Sequence, residues 1–399
     1  MLKTILTTTA LISALSGAAM ADGHSGDAVK VGILMGFTGP VESLIPDVAA
    51  SADLAFDEVN ASGLFLGGRE IETLRGDSTC IDAGAATAAA ERQVSAGVVA
   101  ILGAACSGAT GAVVANVAVP NGVVAVSPSA TSPGLSTIED SGLFFRTAPS
   151  DARQGEVLAE LTIARGITDV AVTYTNNDYG KGLADAFTRA FEALGGNVPI
   201  TVAHEDGKAD YTAEVSTLDA SGAQDLLVIG YVDQGGRQII QTALDLGAFD
   251  RFILPDGMIG ETLLADFGED LEGSFGSVPG SEGAASARFD ALAATAGIEG
   301  IGPFRGEGYD AAAVIALALQ SAGTADRGQL AEHVARIANG PGTEIGVGEL
   351  AMGLRILAEG GEIDYVGVSN VEFDAGGNAA GTYREVEIKA STFETQRVW

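Results

Sequence analysis

Six residues have types and positions suited to holding a small charged molecule. Ser107 follows the apolar run Val98–Gly103, and Ser129 and Thr131 follow Val123–Val126. Tyr179 follows Val170–Tyr174, Tyr231 closes Leu226–Tyr231, and Asp256 follows Phe252–Leu254. Short hydroxyls beside loop or helix-start amides suit a carboxylate, because those N–H groups have no partner inside a helix. An aspartate suits an ammonium, and tyrosines add rigid apolar contact with a polar tip. Taken singly, each has an ordinary structural role: Ser and Thr cap helices, Tyr179 can anchor a loop, and Asp256-Gly257 is a common turn pair. Taken together they describe a zwitterion pocket shared by several strand ends. Phe37-Thr38-Gly39, Asn177-Asp178 and Asp233 stand at comparable positions.

Catalytic chemistry is not apparent. There is no phosphate loop, no HExxH, no CxxC and no Gly-x-Ser-x-Gly elbow. The three histidines, His24, His204 and His333, lack metal-ligand spacing or a nucleophile partner. A hydrolase would need a nucleophile with a nearby base, so the expectation is a binding protein without metal or cofactor, not an enzyme.

These residues are placed by an alternation of strand and helix patterns. Continuous β-branched runs read as strands buried on both faces of a parallel sheet. The alternation, with short loops, is that of a doubly wound α/β fold, whose ligands bind at the carboxyl ends of the strands. A first series runs from Val29–Met35 to Leu143–Thr147, with a helix over Thr110–Val119, and a second from Asp151–Ala164 to Phe252–Leu254. Arg146–Pro149 and Gly273–Gly276 read as crossings between the two. Further helices follow at Ala285–Thr295, Tyr309–Ser321 and Arg327–Ile337. The tail reads as strands Val366–Phe373 and Thr382–Ile388 around a hairpin turn at Asp374–Gly377.

The start of the chain reads as a secretory signal peptide, with Lys3, an apolar core from Ile5 to Ala14, and small residues at Ala19-Met20-Ala21. Residues 22–28 read as a polar tether. Exported chains fold in an oxidising space, so the two cysteines, Cys80 and Cys106, are expected to pair. With 53 acidic against 21 basic residues, a formal charge of -32 and only five lysines, the surface is a poor match for nucleic acid.

Several segments together resemble the periplasmic solute-binding proteins of ABC transporters, of the Leu/Ile/Val-binding type. They are Gly36-Phe37-Thr38-Gly39-Pro40, Cys80 with Cys106, Ser127–Pro133, Phe145-Arg146-Thr147, Asp178–Gly182 and Phe373–Gly377. The resemblance implies two flavodoxin-like lobes joined by three hinge crossings: residues 29–147 with about 277–366, and 148–276 with about 367–399. It implies that Ser107 and Thr131 hold a carboxylate, and that the Ser129 carbonyl, Thr131 and Asp256 take an ammonium. Tyr179 and Tyr231 would close from the second lobe, and the two cysteines would form a disulfide. It also implies a monomer in the periplasm that delivers its solute to an inner-membrane ABC permease. A periplasmic sensor for a membrane receptor is the rival, and relatives on this scaffold also take amides, urea or aromatic acids. Two departures stand out: Asp256 replaces the usual Glu, and Val41–Pro46 replaces the usual small-residue helix start. The stretch from Glu344 to Val366 fits the family pattern poorly.

Overall fold

The computed structural model describes residues 27–280 and 282–399, so the expected signal peptide and residues 22–26 of the tether lie outside the described residues. Two sheets organise the chain. The first holds β1 (Val29–Met35), β2 (Ile71–Asp77), β3 (Ala100–Gly103), β4 (Val124–Ser127) and β5 (Phe144–Arg146), all parallel in the order β2-β1-β3-β4-β5. The second is built on β6 (Val170–Thr175), β7 (Thr201–His204), β8 (Asp225–Ile229), β9 (Arg251–Leu254) and β10 (Phe275–Pro279). β11 (Thr343–Gly346) and β12 (Ile363–Gly367) form a separate parallel pair, and β13 (Tyr383–Lys389) and β14 (Thr392–Val398) extend the second sheet. Its order is β14-β13-β10-β9-β8-β6-β7, with β13 antiparallel to β10.

The parallel cores of the two sheets share one topology, the flavodoxin-like order in which the first strand lies inside the second. Strand order therefore reverses between β1 and β3 in one lobe and between β6 and β8 in the other, and a crevice opens beyond the strands at each reversal. Central strands β3, β4 and β8 are wholly buried, as their apolar runs predict, and so is β10 despite its Gly276-Ser277, while edge strands β2, β7 and β14 alternate with exposed residues.

Helix Arg305–Ala322 packs across helix Ile45–Ser62 in the first lobe. Gly308 permits the approach, since a Cβ there would stand 2.6 Å from the Val48 carbonyl oxygen. In the second lobe Gly155, on helix Asp151–Ala164, plays the same part. Its Cβ would meet the Phe187 amide nitrogen of helix Asp178–Ala193 at 2.6 Å.

The chain passes between the lobes after β5, after β10 and before β13. Phe275-Gly276, expected at a crossing, instead begins β10 inside the second sheet, so that crossing falls after Pro279. Gly276 leaves no room there for a side chain, its Cβ position lying 1.7 Å from the Leu254 carbonyl oxygen. The hairpin expected around Asp374–Gly377 is also displaced. β13 pairs instead with β14 across Ala390-Ser391, while Asp374–Asn378 docks on the edge of the first sheet beside Arg146. The helix expected at Thr110 starts at Ser107 and passes through a π-helical turn at Val114–Ala118. The poorly matching stretch contains β11, helix Leu350–Ala358 and β12.

One buried cation fastens these parts. Arg146, fully buried at the end of β5, donates from Nη1 to the carbonyls of Ala130 (3.1 Å) and Ser132 (2.9 Å). Its Nη2 donates to the Ser136 hydroxyl (2.6 Å), and Nε to Asn378 Oδ1 (2.9 Å). Asn378 is itself held by Asp374, whose carboxylate accepts from the Gly376 and Asn378 amides. The 127–136 loop is thus tied to the third crossing.

Cys80 and Cys106 are disulfide-bonded. Their separation of 26 residues corresponds to about 3–4 kcal/mol of stabilisation in the chain-entropy account. Replacing both by serine should lower the midpoint of thermal unfolding, and a melt unchanged by dithiothreitol or by the double replacement would contradict that assignment.

Candidate functional site

The carboxyl ends of β3, β4, β6, β8 and β9 converge on a cavity of about 50 Å³ between the lobes. All six residues singled out from the sequence line it: Ser107, Ser129, Thr131, Tyr179, Tyr231 and Asp256. Ser107 begins a helix and its Oγ accepts the Ser132 amide (3.1 Å), which leaves its hydroxyl proton free to donate. Ser129 instead spends its hydroxyl proton on the Ala105 carbonyl (3.0 Å). Thr131 is buried, and its carbonyl accepts the Asp151 amide (2.8 Å). The Arg146 bonds hold this loop in place on either side of Thr131.

From the second lobe, Tyr179 and Tyr231 stack with ring centres 5.4 Å apart. The Tyr179 hydroxyl donates to Asp256 Oδ1 (2.8 Å), which also takes the Gly257 amide (2.6 Å). Asp256 Oδ2 is buried with no partner. Burial pushes this carboxyl up to about 6, although the Tyr179 and Gly257 hydrogen bonds pull the other way. Burial likewise raises the phenols of Tyr179 and Tyr231, so both remain neutral donors.

Beside it lies a second acid that the sequence reading placed only as the first residue of a helix. Asp151 is fully buried and neither carboxyl oxygen has a hydrogen-bond partner of normal geometry. Burial, then the Asp256 charge, push it well above the ordinary aspartate range, against the Thr131 hydroxyl and the Arg146 guanidinium. Asp256 is thus the one acid on the cavity wall, which carries no basic side chain, and Asp151 is buried behind it within reach of both the Asp256 and Arg146 charges. The only sequence cue was an acid placed directly after a crossing.

The remaining wall is apolar: Val41, Leu44, Ile45 and Val48 from the first lobe, with Pro303 and Phe304. The departure at Val41–Pro46 therefore falls on the cavity. Phe304 was missed from sequence, and its left-handed backbone (φ 67°) before helix Arg305–Ala322 is unusual for an aromatic residue. The other strand-end groups do not line the cavity. Thr38 donates to Asp77 Oδ2 (2.6 Å), and Asn177 caps helix Asp178–Ala193 and donates to the Tyr231 hydroxyl (3.3 Å). Asp233 ties the lobes together at the rim, accepting the Ser43 amide at Oδ2 (2.8 Å) while its own amide donates to the Pro40 carbonyl (3.2 Å). A second tie runs from the Ser132 hydroxyl to the Asp178 carbonyl (3.0 Å). Among the described residues there is no cluster fit to hold a metal ion and no helix long and apolar enough to cross a membrane.

The profile of the periplasmic binding proteins matches residues 28–345. A leucine-, isoleucine-, valine-, threonine- and alanine-binding protein of Pseudomonas aeruginosa is 30% identical over 314 residues, covering 77% of this chain and 82% of the relative. A leucine-binding protein from Thermotoga maritima superposes with a TM-score of 0.76 at 23% identity, covering 93% of this chain and 98% of that one. An ABC-transporter solute-binding protein from R. palustris, in complex with benzoate, superposes with a TM-score of 0.74 at 18% identity, covering 93% and 96%. With two like-wound lobes around a shared cavity and a family match over most of its length, the chain belongs to the periplasmic binding proteins.

Proposed function

We propose that the chain is an exported receptor that captures a small aliphatic amino acid by lobe closure and delivers it to an inner-membrane ABC permease. The observation that carries this reading is the buried, unpartnered Oδ2 of Asp256 on the cavity wall. Buried acids without donors are costly, and a primary ammonium brings the missing N–H groups and charge. The Ser107 and Thr131 hydroxyls then take the ligand carboxylate, and the Ser129 carbonyl shares the ammonium. The Val41–Val48 and Phe304 wall receives an aliphatic side chain. The relative of 30% identity is a binder of such amino acids by name.

Closure follows from differential contact. Ligand groups touched by both lobes favour the closed form by whatever affinity they lose in the open one. The units that move are 29–147 with about 280–366, and 148–279 with about 367–399. The Asp233 and Ser132 ties belong to the closed form alone. A monomer working in the periplasm fits this role, and neither a catalytic step nor a cofactor enters it. An aromatic acid, as in the benzoate complex on the same fold, would bring a carboxylate but no ammonium, and would leave Asp256 unsatisfied.

Three outcomes test this reading by calorimetry and thermal melts on the mature chain. Alanine, threonine or valine should bind, and benzoate at least tenfold more weakly, because benzoate brings no N–H donor or positive charge to the unpartnered Asp256 Oδ2. Equal affinity for benzoate would refute the ammonium requirement. Asp256→Asn should weaken the amino acid by about 1–3 kcal/mol, and unchanged affinity would show that the site is elsewhere. The pH dependence has two opposite signs. Ligand affinity should fall as pH drops below about 6 and Asp256 takes up a proton. The ligand-free chain should instead melt higher at pH 5.5 than at pH 7.5. Its folded carboxyls at Asp256 (about 6) and Glu307 (about 7) bind protons that the unfolded chain, with ordinary acid values, does not hold in this range.

A further inference from the structure

A second cavity, of about 220 Å³, lies on the hinge side of the Pro303-Phe304 wall, so those two residues face both chambers. Both lobes line it. Helix Arg305–Ala322 contributes Arg305 and Glu307, and β13 contributes Arg384.

The charges of this chamber are arranged differently from those of the first. Arg305 is already occupied, pairing with Asp290 (3.3 Å) and lying over the Phe289 ring. Glu307 is buried on the first-lobe wall, yet makes no ion pair among the described residues. On the facing lobe, Arg384 likewise makes no ion pair among the described residues, and its Nε–H is buried without an acceptor there. Gly280 leaves the space this guanidinium occupies, since a Cβ there would stand 3.0 Å from Nε. The Glu307 carboxyl is pushed up to about 7 by burial and by Asp310, with Arg384 and Arg305 holding it down. A carboxylate and a guanidinium that share a chamber normally meet, because each repays part of the other's desolvation. Here they face the same space and stay apart.

We propose that this chamber is a second binding site for a small zwitterion, whose carboxylate sits on Arg384 and whose ammonium sits on Glu307. Arg384 supplies directed N–H donors to the anion. Glu307 accepts from the cation, while Phe289, Ile301 and Phe393 cover an aliphatic portion. Because the two charged walls belong to different lobes, an occupant there bridges them.

The test counts sites on the mature chain by equilibrium dialysis with L-valine, and with isovalerate and isobutylamine as probes of one charge each. Arg384→Met, which keeps the apolar stem, should weaken one L-valine site at least tenfold, and Glu307→Gln should weaken the same site. Neither single-charge probe should fill it. Asp256→Asn acts on the first cavity and should leave this site saturable, so failure of the first assignment and failure of the second are separable. Circular dichroism melts of each variant establish that the chain is folded. A count of L-valine sites unchanged in both Arg384→Met and Glu307→Gln, with the fold intact, overturns the proposal and assigns the chamber to water.

Discussion

The buried guanidinium of Arg146 is the constraint on which the geometry around the ligand cavity rests. A cation with no exposure is tolerable only when its N–H groups find acceptors, and here four of the five hold two carbonyls, a hydroxyl and an amide oxygen. Those partners belong to the loop bearing Ser129 and Thr131 and to the third crossing. The same residue therefore shapes a binding loop and fixes a hinge strand. It also stands close enough to Asp151 to offset part of that acid's burial. It does not line the cavity itself and acts on its shape through where it holds the carbonyls and hydroxyls.

Around that fixed point the two lobes make unlike contributions from like topologies. In the first, β3 and β4 deliver short hydroxyls on loops stiffened by the disulfide and by Arg146. In the second, β6, β8 and β9 deliver two stacked tyrosines and an acid. Because strand order reverses at equivalent places, both sets emerge facing one space. Polar groups from both lobes and an apolar wall from the 41–48 segment thus line one cavity, with the Asp256 Oδ2 left without a partner.

Much of this could be read from the residues because the signals were local. Unbroken apolar runs marked the central strands, and the six lining residues stood one or a few positions beyond them. What escaped depended on contacts distant in sequence. Asp151 looks like an ordinary first residue of a helix until folding sets it beside Asp256, 105 positions later in the chain. Phe304 becomes a wall only because its backbone turns left-handed before a buried helix. The misplaced hairpin has a similar cause. Asp374–Gly377 has the composition of a turn between strands, yet its Gly376 and Gly377 amides go to Asp374 and its Gly377 carbonyl accepts the Arg146 amide. The Gly273–Gly276 stretch reads as a crossing between lobes; its Gly276 lies instead inside β10, where β9 comes too close for a side chain.

The interleaving of the lobes has a consequence for how the molecule comes into being. Helix Arg305–Ala322, buried along nearly its whole length against the first lobe, is made after the entire parallel core of the second. β13 and β14, which cover one edge of that second core, are made later still. Neither half can reach its final packing while the chain is still emerging, since each lacks a segment that appears only near the end. Such an order of synthesis delays compaction. The last strands to be made are thus the ones that close the structure.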